Sequence, residues 1–474
     1  MVQPTNVRRK GDIRIMKRIK TPIEHQWFTR TLVVIAIGIA LRCLVSFVVL
    51  GNMPQVEDGP SYSLQAQQMI DGTIGYYYFP PGTAISVVPF YWLLGQTVFV
   101  DHLIGVVHTS AFLIIAAWFA SVMLGWGRVT FIAAMFVAFY PNSFLSATQI
   151  SSMPVSVVFL TGAIGLILRC HEKWSWHRWI GASLCLAAAI ATRPASVMAV
   201  VVIAIAGMYL LWQRKINVSL FTSAAMALCV IMASMIVPLM QHNFQHGHGW
   251  TLSTNNEWNL FAGNTPYTPD YKTGHFGQRR FDQVSPEARA YMSAILPHES
   301  PTAATYEQRK SMRAAAFDYM QHHPIRTLYR VTNRARAFWG FDYATARTIQ
   351  NEYGLSNLAF LPIVALDGGG YLLLIMLALS APFILQLPFN AKGAFLLSLC
   401  AAGMIPYLIA FAQARYHLSA IPLLLIPASL AIIAFLENPK HTWQRLYSRP
   451  LWWAVMAAFL LMQAESAYYL ILLR

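Results

Sequence analysis

Eleven long apolar runs constrain this chain more than any other feature of its sequence. Each is close to the roughly 20 residues that a helix needs to cross a bilayer. Only 11% of the 474 residues are charged, against roughly 25% in a globular domain. The sequence therefore predicts an all-α polytopic membrane protein with about 11 transmembrane helices, within a range of about 10 to 13. The runs lie at 28–50, 103–124, 129–147, 153–170, 178–193, 195–213, 217–239, 367–387, 394–413, 417–436 and 451–471.

Basic residues in the short connections predict how these helices are oriented. With the N-terminus in the cytoplasm, every connection on the cytoplasmic side contains Lys or Arg, as the positive-inside rule requires. The net charge of +15 is then a topology signal and an attraction to anionic lipid. It does not predict a nucleic-acid partner. The cytoplasmic connections are 125–128, 169–178, 214–215, 388–392 and 439–449.

The same orientation divides the chain into four parts. We expect a basic cytoplasmic tail that is not cleaved as a signal peptide, an N-terminal transmembrane module with a first outer loop, an outer-face domain, and a C-terminal transmembrane module. The outer-face segment is too long for a plain connection and must fold, mainly as helices. The parts are 1–26, 27–239 with the loop at 51–102, 240–366 and 367–474.

Three local patterns predict structure on the outer face. The apolar stretch 85–100 is short for a span and is interrupted by Pro89, which favours a helix in the membrane interface. Ser285-Pro286-Glu287 is typical of a helix start, with Ser as the cap and Pro at the first helical position. The segment 302–322 has a helical pattern that ends before Pro324.

Charged residues of the predicted outer face provide the candidate chemistry. Glu57 and Asp58 follow the first span directly, and carboxylates at membrane level are costly unless they are solvated or used. Arg193 and Arg415 are predicted to reach the same face. Arginine forks bind phosphate, and a nearby carboxylate can deprotonate a hydroxyl. The pattern predicts a site for an anionic head group.

Each candidate also has a structural interpretation. The two carboxylates could cap an interfacial helix, and the two arginines could anchor the chain to lipid phosphates. Arg42 lies deeper in the first span, where an ion pair or a ligand contact is equally compatible with its position. His242, His246 and His248 have a spacing that could bind a metal, but solvated loop histidines are favoured. No cofactor is implied, although a divalent metal stays open, and the five cysteines lie in or at the ends of apolar spans.

Short motifs along the chain resemble those of a known superfamily. The first loop contains Asp58-x-x-x-Tyr62-x-x-x-Ala66, and further motifs follow in the order that the superfamily shows. On these motifs the chain resembles GT-C glycosyltransferases, and among them the bacterial relatives of protein O-mannosyltransferases and of the lipid A aminoarabinose transferase. The further motifs are Asp71-Gly72, Phe79-Pro80-Pro81-Gly82, Leu94-Gly95, Tyr140-Pro141, Thr192-Arg193-Pro194, His242-Asn243-Phe244, Ser253-Thr254-Asn255, Asn259-Leu260-x-x-Gly263-Asn264-x-Pro266 and Arg415-Tyr416-His417-Leu418.

The resemblance implies a GT-C-like bundle and an activity. The expected reaction transfers a sugar from a polyprenyl-phosphate donor to a hydroxyl of a glycan, lipid or protein acceptor, on the outer face of the plasma (inner) membrane. Asp58 is expected to be the general base, with Glu57 beside it, and Arg193 and Arg415 to bind the lipid phosphate. A single displacement would invert the anomeric centre. The other expected substrate-binding residues are Tyr62, Tyr78, Asn243, Asn264 and His417.

Two departures and two rival functions stay open. Ser151-Ser152-Met153-Pro154 stands where the superfamily often has a Glu, so the role of that acid is in doubt here. Asn256-Glu257 replaces a frequent Gly-Gly, which predicts a loop of different shape for a different acceptor. The rivals are an O-antigen ligase or polymerase that uses a diphosphate-linked glycan, and a flippase or transporter of lipid-linked glycans. Transport is disfavoured because the polar groups collect on one face and no repeat is evident.

Overall fold

The computed structural model describes residues 22–271, 284–296, 301–385 and 391–472. Within these ranges the chain is all helical and contains no strand, which confirms the predicted all-α class. Most of the predicted basic tail, 1–26, lies outside the described residues. The helices are α1 (Pro22–Leu44), α2 (Gly59–Ile70), α3 (Pro81–Leu94), α4 (Val98–Leu124), α5 (Arg128–Ala138), α6 (Pro141–Leu145), α7 (Ser152–Glu172), α8 (Trp176–Thr192), α9 (Val197–Trp212), α10 (Val218–Gln245), α11 (Asn256–Gly263), α12 (Pro286–Ile295), α13 (Tyr306–His322), α14 (Pro324–Phe338), α15 (Ala344–Glu352), α16 (Asn357–Leu385), α17 (Ala391–Ile409), α18 (Ile421–Glu437), α19 (Pro439–Tyr447) and α20 (Pro450–Leu472).

The protein is a polytopic membrane protein. Among the described residues, eight helical segments are long and apolar enough to cross a membrane. The helix α5 and the segment Pro141–Thr148, bent by 52°, make a ninth if the pair is one span. The eight contain α1, α4, α7, α9, α10, α16, α17 and α18. The two other predicted spans lie on α8 and α20. By length and composition the described residues therefore contain eight or nine spans, fewer than the eleven predicted. α8, with 17 residues, and α20, which carries Gln463 and Glu465, are not among them.

The connections gather at two separate ends of the bundle. At one end, Arg128 forms an ion pair with Glu437 (3.0 Å) and Lys392 with Glu172 (3.5 Å), which joins connections predicted to share the cytoplasmic side. At the other end, Arg415 contacts Glu57 of the first loop. Exposed ion pairs add little stability, but these contacts show which connections lie side by side. The predicted grouping of the connections is consistent with them.

Arg42 holds the bend between α5 and α6. Its guanidinium is fully buried and donates to the carbonyls of Gly38 (2.8 Å) and Val137 (3.0 Å) and to Ser143 Oγ (2.6 Å). The last carbonyls of a helix have no partner within the helix, and Arg42 supplies one for the end of α5. Among the described residues its partners are carbonyls and a hydroxyl, so the ion pair offered for Arg42 does not form there.

The segment between α10 and α16 folds into short helices, as predicted. Ser285 caps α12 by accepting from the amide of Ala288 (3.2 Å). The predicted helix 302–322 starts later, at Tyr306, because Thr305 forms a capping box with Gln308, in which each side chain bonds the backbone of the other. A small apolar core lies beneath these helices and is formed by Phe261, Ala262, Met292, Leu296, Ala304 and Met312.

Two glycines bring the elements around the site into close approach. A Cβ on Gly82, at the start of α3, would lie 2.6 Å from the amide of Thr192 at the end of α8. A Cβ on Gly263, at the end of α11, would lie 2.0 Å from the carbonyl of Ala410. Both distances are shorter than van der Waals contact, so each position accepts only glycine without a shift of the backbone. These contacts join the first loop and α11 to the ends of the spans.

Candidate active site

Two adjoining cavities open at the end of the bundle that carries the first loop. The large cleft has a volume of about 570 Å³, and the small pocket has about 80 Å³. Asp58 and Arg415 belong to the walls of both cavities and therefore lie at the boundary between them. The large cleft is further lined by Tyr62, Tyr78, Arg193, Tyr407 and Tyr416, and the small pocket by Glu57, Asn142, Gln149 and Asp342.

The backbone presents both carboxylates of the first loop to these cavities. Asp58 occupies the N-cap position of α2, but its side chain makes no capping hydrogen bond. The carboxylate is therefore not used to cap the helix, contrary to the structural interpretation. Glu57 has a φ of 54°, in the left-handed region that a residue with a Cβ seldom adopts. Such strain costs on the order of 1–3 kcal/mol and tends to occur at functional sites.

Arg415 bridges the two carboxylates. It lies in the 3₁₀ segment Ala414–Ala420, and its side chain is 24% exposed. One terminal nitrogen contacts the carboxylate of Glu57, and Nη2 lies 3.3 Å from Asp58 Oδ2. The structure thus brings three of the predicted site residues together, across more than 350 residues of chain.

The electrostatics of the small pocket act mainly on Glu57. Although 45% of its side-chain surface is exposed, desolvation in the pocket is the largest influence and raises the pKa of Glu57 above its ordinary value. The charges of Asp58 and Asp342 raise it further, while Arg415 opposes them. Glu57 therefore accepts a proton more readily than a solvated glutamate does.

Arg193 lies in the large cleft in a different setting. It follows α8 directly, and its Nε donates to the hydroxyl of Tyr407 (3.1 Å) while Nη1 donates to Ser152 Oγ (2.9 Å). Its guanidinium carbon lies 4.7 Å from the ring centroid of Tyr416, within cation–π range. In the part of the chain that the structure describes, no carboxylate lies within ion-pair distance of Arg193. This cation has only neutral partners.

Tyr62 and Tyr78 line the same cleft. Tyr62 is buried and packs against Phe79, with ring centroids 5.3 Å apart. Burial first, and then the charge of Asp58, raise the pKa of both phenols. Their hydroxyls therefore stay protonated at neutral pH and can donate hydrogen bonds. The carbonyl of Tyr78 accepts from the amide of Asn255 (3.2 Å), which joins the first loop to the start of α11.

Three other predicted site residues do not line either cavity. The side chain of Asn243 accepts from the amide of Tyr77 (2.7 Å) and donates to the carbonyl of Thr251 (2.9 Å). Asn264 donates to the carbonyl of Ile409 (3.0 Å), and His417 stacks on Tyr371 with centroids 4.1 Å apart. All three are buried in loop and helix contacts. The structure uses them to hold the elements that carry the cavity walls.

The histidine series also makes contacts within the protein. His248 lies 2.9 Å from Arg309 Nη1 through its Nδ1 and stacks on Tyr76. The rings of His242 and His246 are 4.4 Å apart, and His246 Nδ1 lies 2.8 Å from the carbonyl of His242. Over the described ranges, no group of three His, Cys, Asp or Glu side chains is arranged to hold a metal.

Three residues of the cavity walls were not among the predicted site residues. Asp342 accepts from Asn142 Nδ2 (3.3 Å) in the small pocket, across 200 residues of chain. Tyr407 and Tyr416 stack on each other with centroids 4.4 Å apart and flank Arg193. Tyr416 lies inside a quoted motif and could have been considered. Asp342 and Tyr407 have no comparable signal, since one lies in a loop and the other near the end of a span.

Comparisons with known proteins find remote likenesses of structure. No family model and no characterised protein sequence matches the chain. A crystal structure of the Archaeoglobus fulgidus oligosaccharyltransferase in complex with Zn and sulfate matches with a TM-score of 0.47 at 14% identity, covering 93% of this chain and 53% of that one. The archaeal oligosaccharyltransferase AglB from the same organism, in complex with an inhibitory peptide and a dolichol-phosphate, matches with a TM-score of 0.49 at 11% identity. This match covers 94% of this chain and 55% of that one. The chain spans about half the length of these structures.

Proposed function

We propose that this protein is a membrane glycosyltransferase of the GT-C type, which transfers a sugar from a polyprenyl-phosphate donor to an acceptor hydroxyl. The observation that carries the proposal is the shared cleft of Arg193 and Asp58. Arg193 offers a positive charge with no carboxylate partner among the described residues, and Asp58 offers a carboxylate that is not used as a cap. A phosphate and an attacking hydroxyl are the two groups that such a pair would bind.

Arg193 would hold the phosphate of the donor. A guanidinium retains free N–H donors after the bonds to Tyr407 and Ser152, because it has five in all. Tyr407 and Tyr416 cover part of the guanidinium, which lowers the local dielectric around its charge. As the sugar leaves, negative charge grows on the phosphate, and a fixed cation there stabilises the transition state.

Asp58 would act as the general base. Its position at the boundary of the two cavities lets the donor lie in the large cleft while the acceptor hydroxyl approaches along the small pocket. Arg415 would hold the carboxylate of Asp58 in place, with Glu57 as its second partner. Attack by one activated hydroxyl, from the side opposite the departing phosphate, inverts the anomeric centre. General-base assistance is typically worth about 10²–10⁴-fold.

The lipid part of the donor would leave the cleft between two spans. Val197 at the start of α9 and Pro406 on α17 both line the large cleft. The outer surface of α9 continues with the exposed apolar residues Val201 and Ile205. A polyprenyl chain could lie along this surface in the bilayer while its phosphate reaches Arg193. The proposed location is the plasma membrane, with the N-terminus in the cytoplasm and the cleft on the outer face.

The number of available cations favours a monophosphate donor over a diphosphate. Arg415 is already paired with two carboxylates, whereas Arg193 has none in the described part of the chain. A diphosphate would bring more negative charge than one unpaired arginine offsets. This favours the transferase over an O-antigen ligase that uses a diphosphate-linked glycan, whose acceptor would otherwise fit the same cavities.

The test is donor consumption by purified protein. We would incubate the wild type and Asp58→Asn with a panel of polyprenyl-phosphate sugars and an acceptor mixture. The expected result is consumption of one donor by the wild type, with a loss of about 10²–10⁴-fold in the variant and unchanged membrane insertion. Near wild-type turnover by Asp58→Asn would assign the base elsewhere. Consumption of diphosphate-linked glycans alone would replace the proposal by the ligase function.

A further inference from the structure

The start of α11 forms an uncharged wall of the large cleft. Asn255, Asn256, Trp258 and Asn259 all line this wall, and none of them carries a charge. The amide of Asn255 donates to the carbonyl of Tyr78, so the wall is attached to the first loop beside a tyrosine of the same cleft. This combination of amides and an indole is unlike the arginine and carboxylate walls, and the proposed phosphate and base chemistry does not use it.

The side chain of Asn255 is placed to bind something other than its own helix. Asparagine at an N-cap commonly accepts from a backbone amide of the first turn, but Asn255 makes no such bond. Its Oδ1 is buried and has no hydrogen-bond partner among the described residues. Leaving a buried acceptor without a donor is unfavourable, so a rotation of the Asn255 side chain that brings Oδ1 to a ligand hydroxyl in the cleft would gain affinity.

We propose that Asn255, Asn256 and Trp258 form a subsite for the glycosyl group of the donor, and that this group is a neutral sugar. The inference rests on the proposed function, because it assigns the sugar that the phosphate carries. A side-chain amide both donates and accepts, which suits neighbouring hydroxyls that do the same. An indole offers a flat apolar face with a polar edge, which suits the C–H face of a pyranose. The wall contributes no cation that would select an acidic sugar.

The departure at Asn256-Glu257 thereby acquires a function. Where the resembling superfamily often has two glycines, this chain begins a helix of eight residues with Asn256 at its first position. Asn256 is exposed toward the cleft that it lines. Glycine would offer only backbone atoms there, whereas asparagine adds an amide. The set of chemical groups that faces the sugar at that position therefore differs from the set that two glycines would give.

A binding experiment with two ligands tests the subsite. Purified full-length protein in lipid nanodiscs would be titrated with a polyprenyl phosphate that carries no sugar and with a panel of neutral hexosyl and pentosyl phosphoprenols. We expect Asn255→Ala to weaken binding of the preferred glycosylated ligand by about 5- to 10-fold, the usual value of a neutral hydrogen bond. Binding of the sugar-free phosphate should stay unchanged. Asn256→Ala, at an exposed position, is the second variant should Asn255→Ala fail to fold.

The matched control is Asn351→Ala, which removes an exposed amide on α15 outside both cavities. It should leave both affinities unchanged. Equal affinities of the wild type and both subsite variants for the glycosylated ligand would overturn the inference. So would an equal loss for both ligands, since that indicates a structural role. A wild type that binds neither ligand would instead overturn the proposed function itself, and the two failures are thereby distinguished.

Discussion

The two arginines of the cleft differ in their partners more than in their location. Arg415 contacts the carboxylates of Glu57 and Asp58, so its charge is already balanced within the protein. Arg193 contacts a serine hydroxyl and two tyrosines, so its charge is not balanced by any carboxylate of the described residues. A balanced cation orients the acids that it holds, while an unbalanced cation attracts an external anion. From this comparison we propose that Arg415 positions the base and that Arg193 binds the phosphate.

Ser152 contributes to this difference between the partners of the two arginines. Ser152 begins α7 and accepts from Arg193 Nη1 at 2.9 Å. It belongs to the segment Ser151-Ser152-Met153-Pro154, in which no side chain carries a charge. A carboxylate at this distance would neutralise Arg193 as Glu57 and Asp58 neutralise Arg415. The serine keeps the hydrogen bond and leaves the charge available.

Among the variants that test the difference between the two arginines, Arg415→Gln should change kcat the most. Glutamine preserves much of the length of the side chain but leaves Glu57 and Asp58 side by side without their cation. We expect kcat to fall by about 10²–10³-fold, the loss typical of removing one preorganised hydrogen-bond donor from an active site. The Kd for a sugar-free polyprenyl phosphate should change by less than about threefold, because Arg193 is intact. Steady-state turnover and a lipid-phosphate titration measure the two quantities.

Arg415→Lys is the matched control for this variant. A lysine retains the positive charge but cannot bridge two carboxylates with one planar fork, so kcat should lie between those of the wild type and Arg415→Gln. The opposite outcome is a large loss of phosphate affinity with little change in kcat. It would make Arg415 a phosphate ligand, as the sequence motif implied, and would remove the proposed difference between the two arginines.

Arg193→Gln should produce the complementary result. Hydrogen bonds to a charged group are worth about 1.5–3 kcal/mol, so the Kd for polyprenyl phosphate should rise by roughly 10- to 150-fold. The partner Tyr407 stays in place, and Arg193→Lys, which keeps the charge, should recover part of the affinity. A titration of the sugar-free lipid in nanodiscs measures both. If Arg193→Gln bound the lipid as tightly as the wild type, Arg193 would not be the phosphate ligand.

The fold class could be predicted because each apolar run is a local signal. Every predicted run coincides with a helix, although α8 and α20 are not among the segments that meet the length and hydropathy of a span. The proximity of Asp58 and Arg415 could also be predicted in part from the sequence, since the positive-inside rule predicts the same membrane face for both. The rule predicts on which side of the membrane a residue lies, but it does not predict which residues contact each other.

The residues that line the cavities were harder to predict from the sequence than the helices were. A motif identifies polar residues but not the direction of their side chains. Asn243 and Asn264 lie in quoted motifs, yet their amides bond neighbouring loops, and His417 is stacked inside the bundle. Conversely, Asp342 reaches the small pocket through a tertiary contact with Asn142, 200 residues away. No local periodicity encodes a contact of that separation.

Glu57→Gln should change kcat the least of these variants. It tests whether Glu57 and Asp58 share the positive charge of Arg415. The pKa of Glu57 is raised, mainly by burial, with Asp58 and Asp342 adding to the shift and Arg415 opposing it. Above this pKa the wild-type glutamate is charged and shares Arg415 with Asp58, whereas glutamine is neutral at every pH. We therefore expect the variant to differ from the wild type by only about two- to fivefold in kcat at neutral pH.

The pH dependence gives the sign of that effect. As the pH falls through the raised pKa of Glu57, the wild-type side chain gains a proton and comes to resemble glutamine, so the two kcat profiles should converge. Convergence should begin at a higher pH than a solvated glutamate would give, because burial favours the neutral form. Profiles that stay parallel down to the acid limit of the wild type would show that Glu57 does not share Arg415 with the base. Arg415 would then serve Asp58 alone.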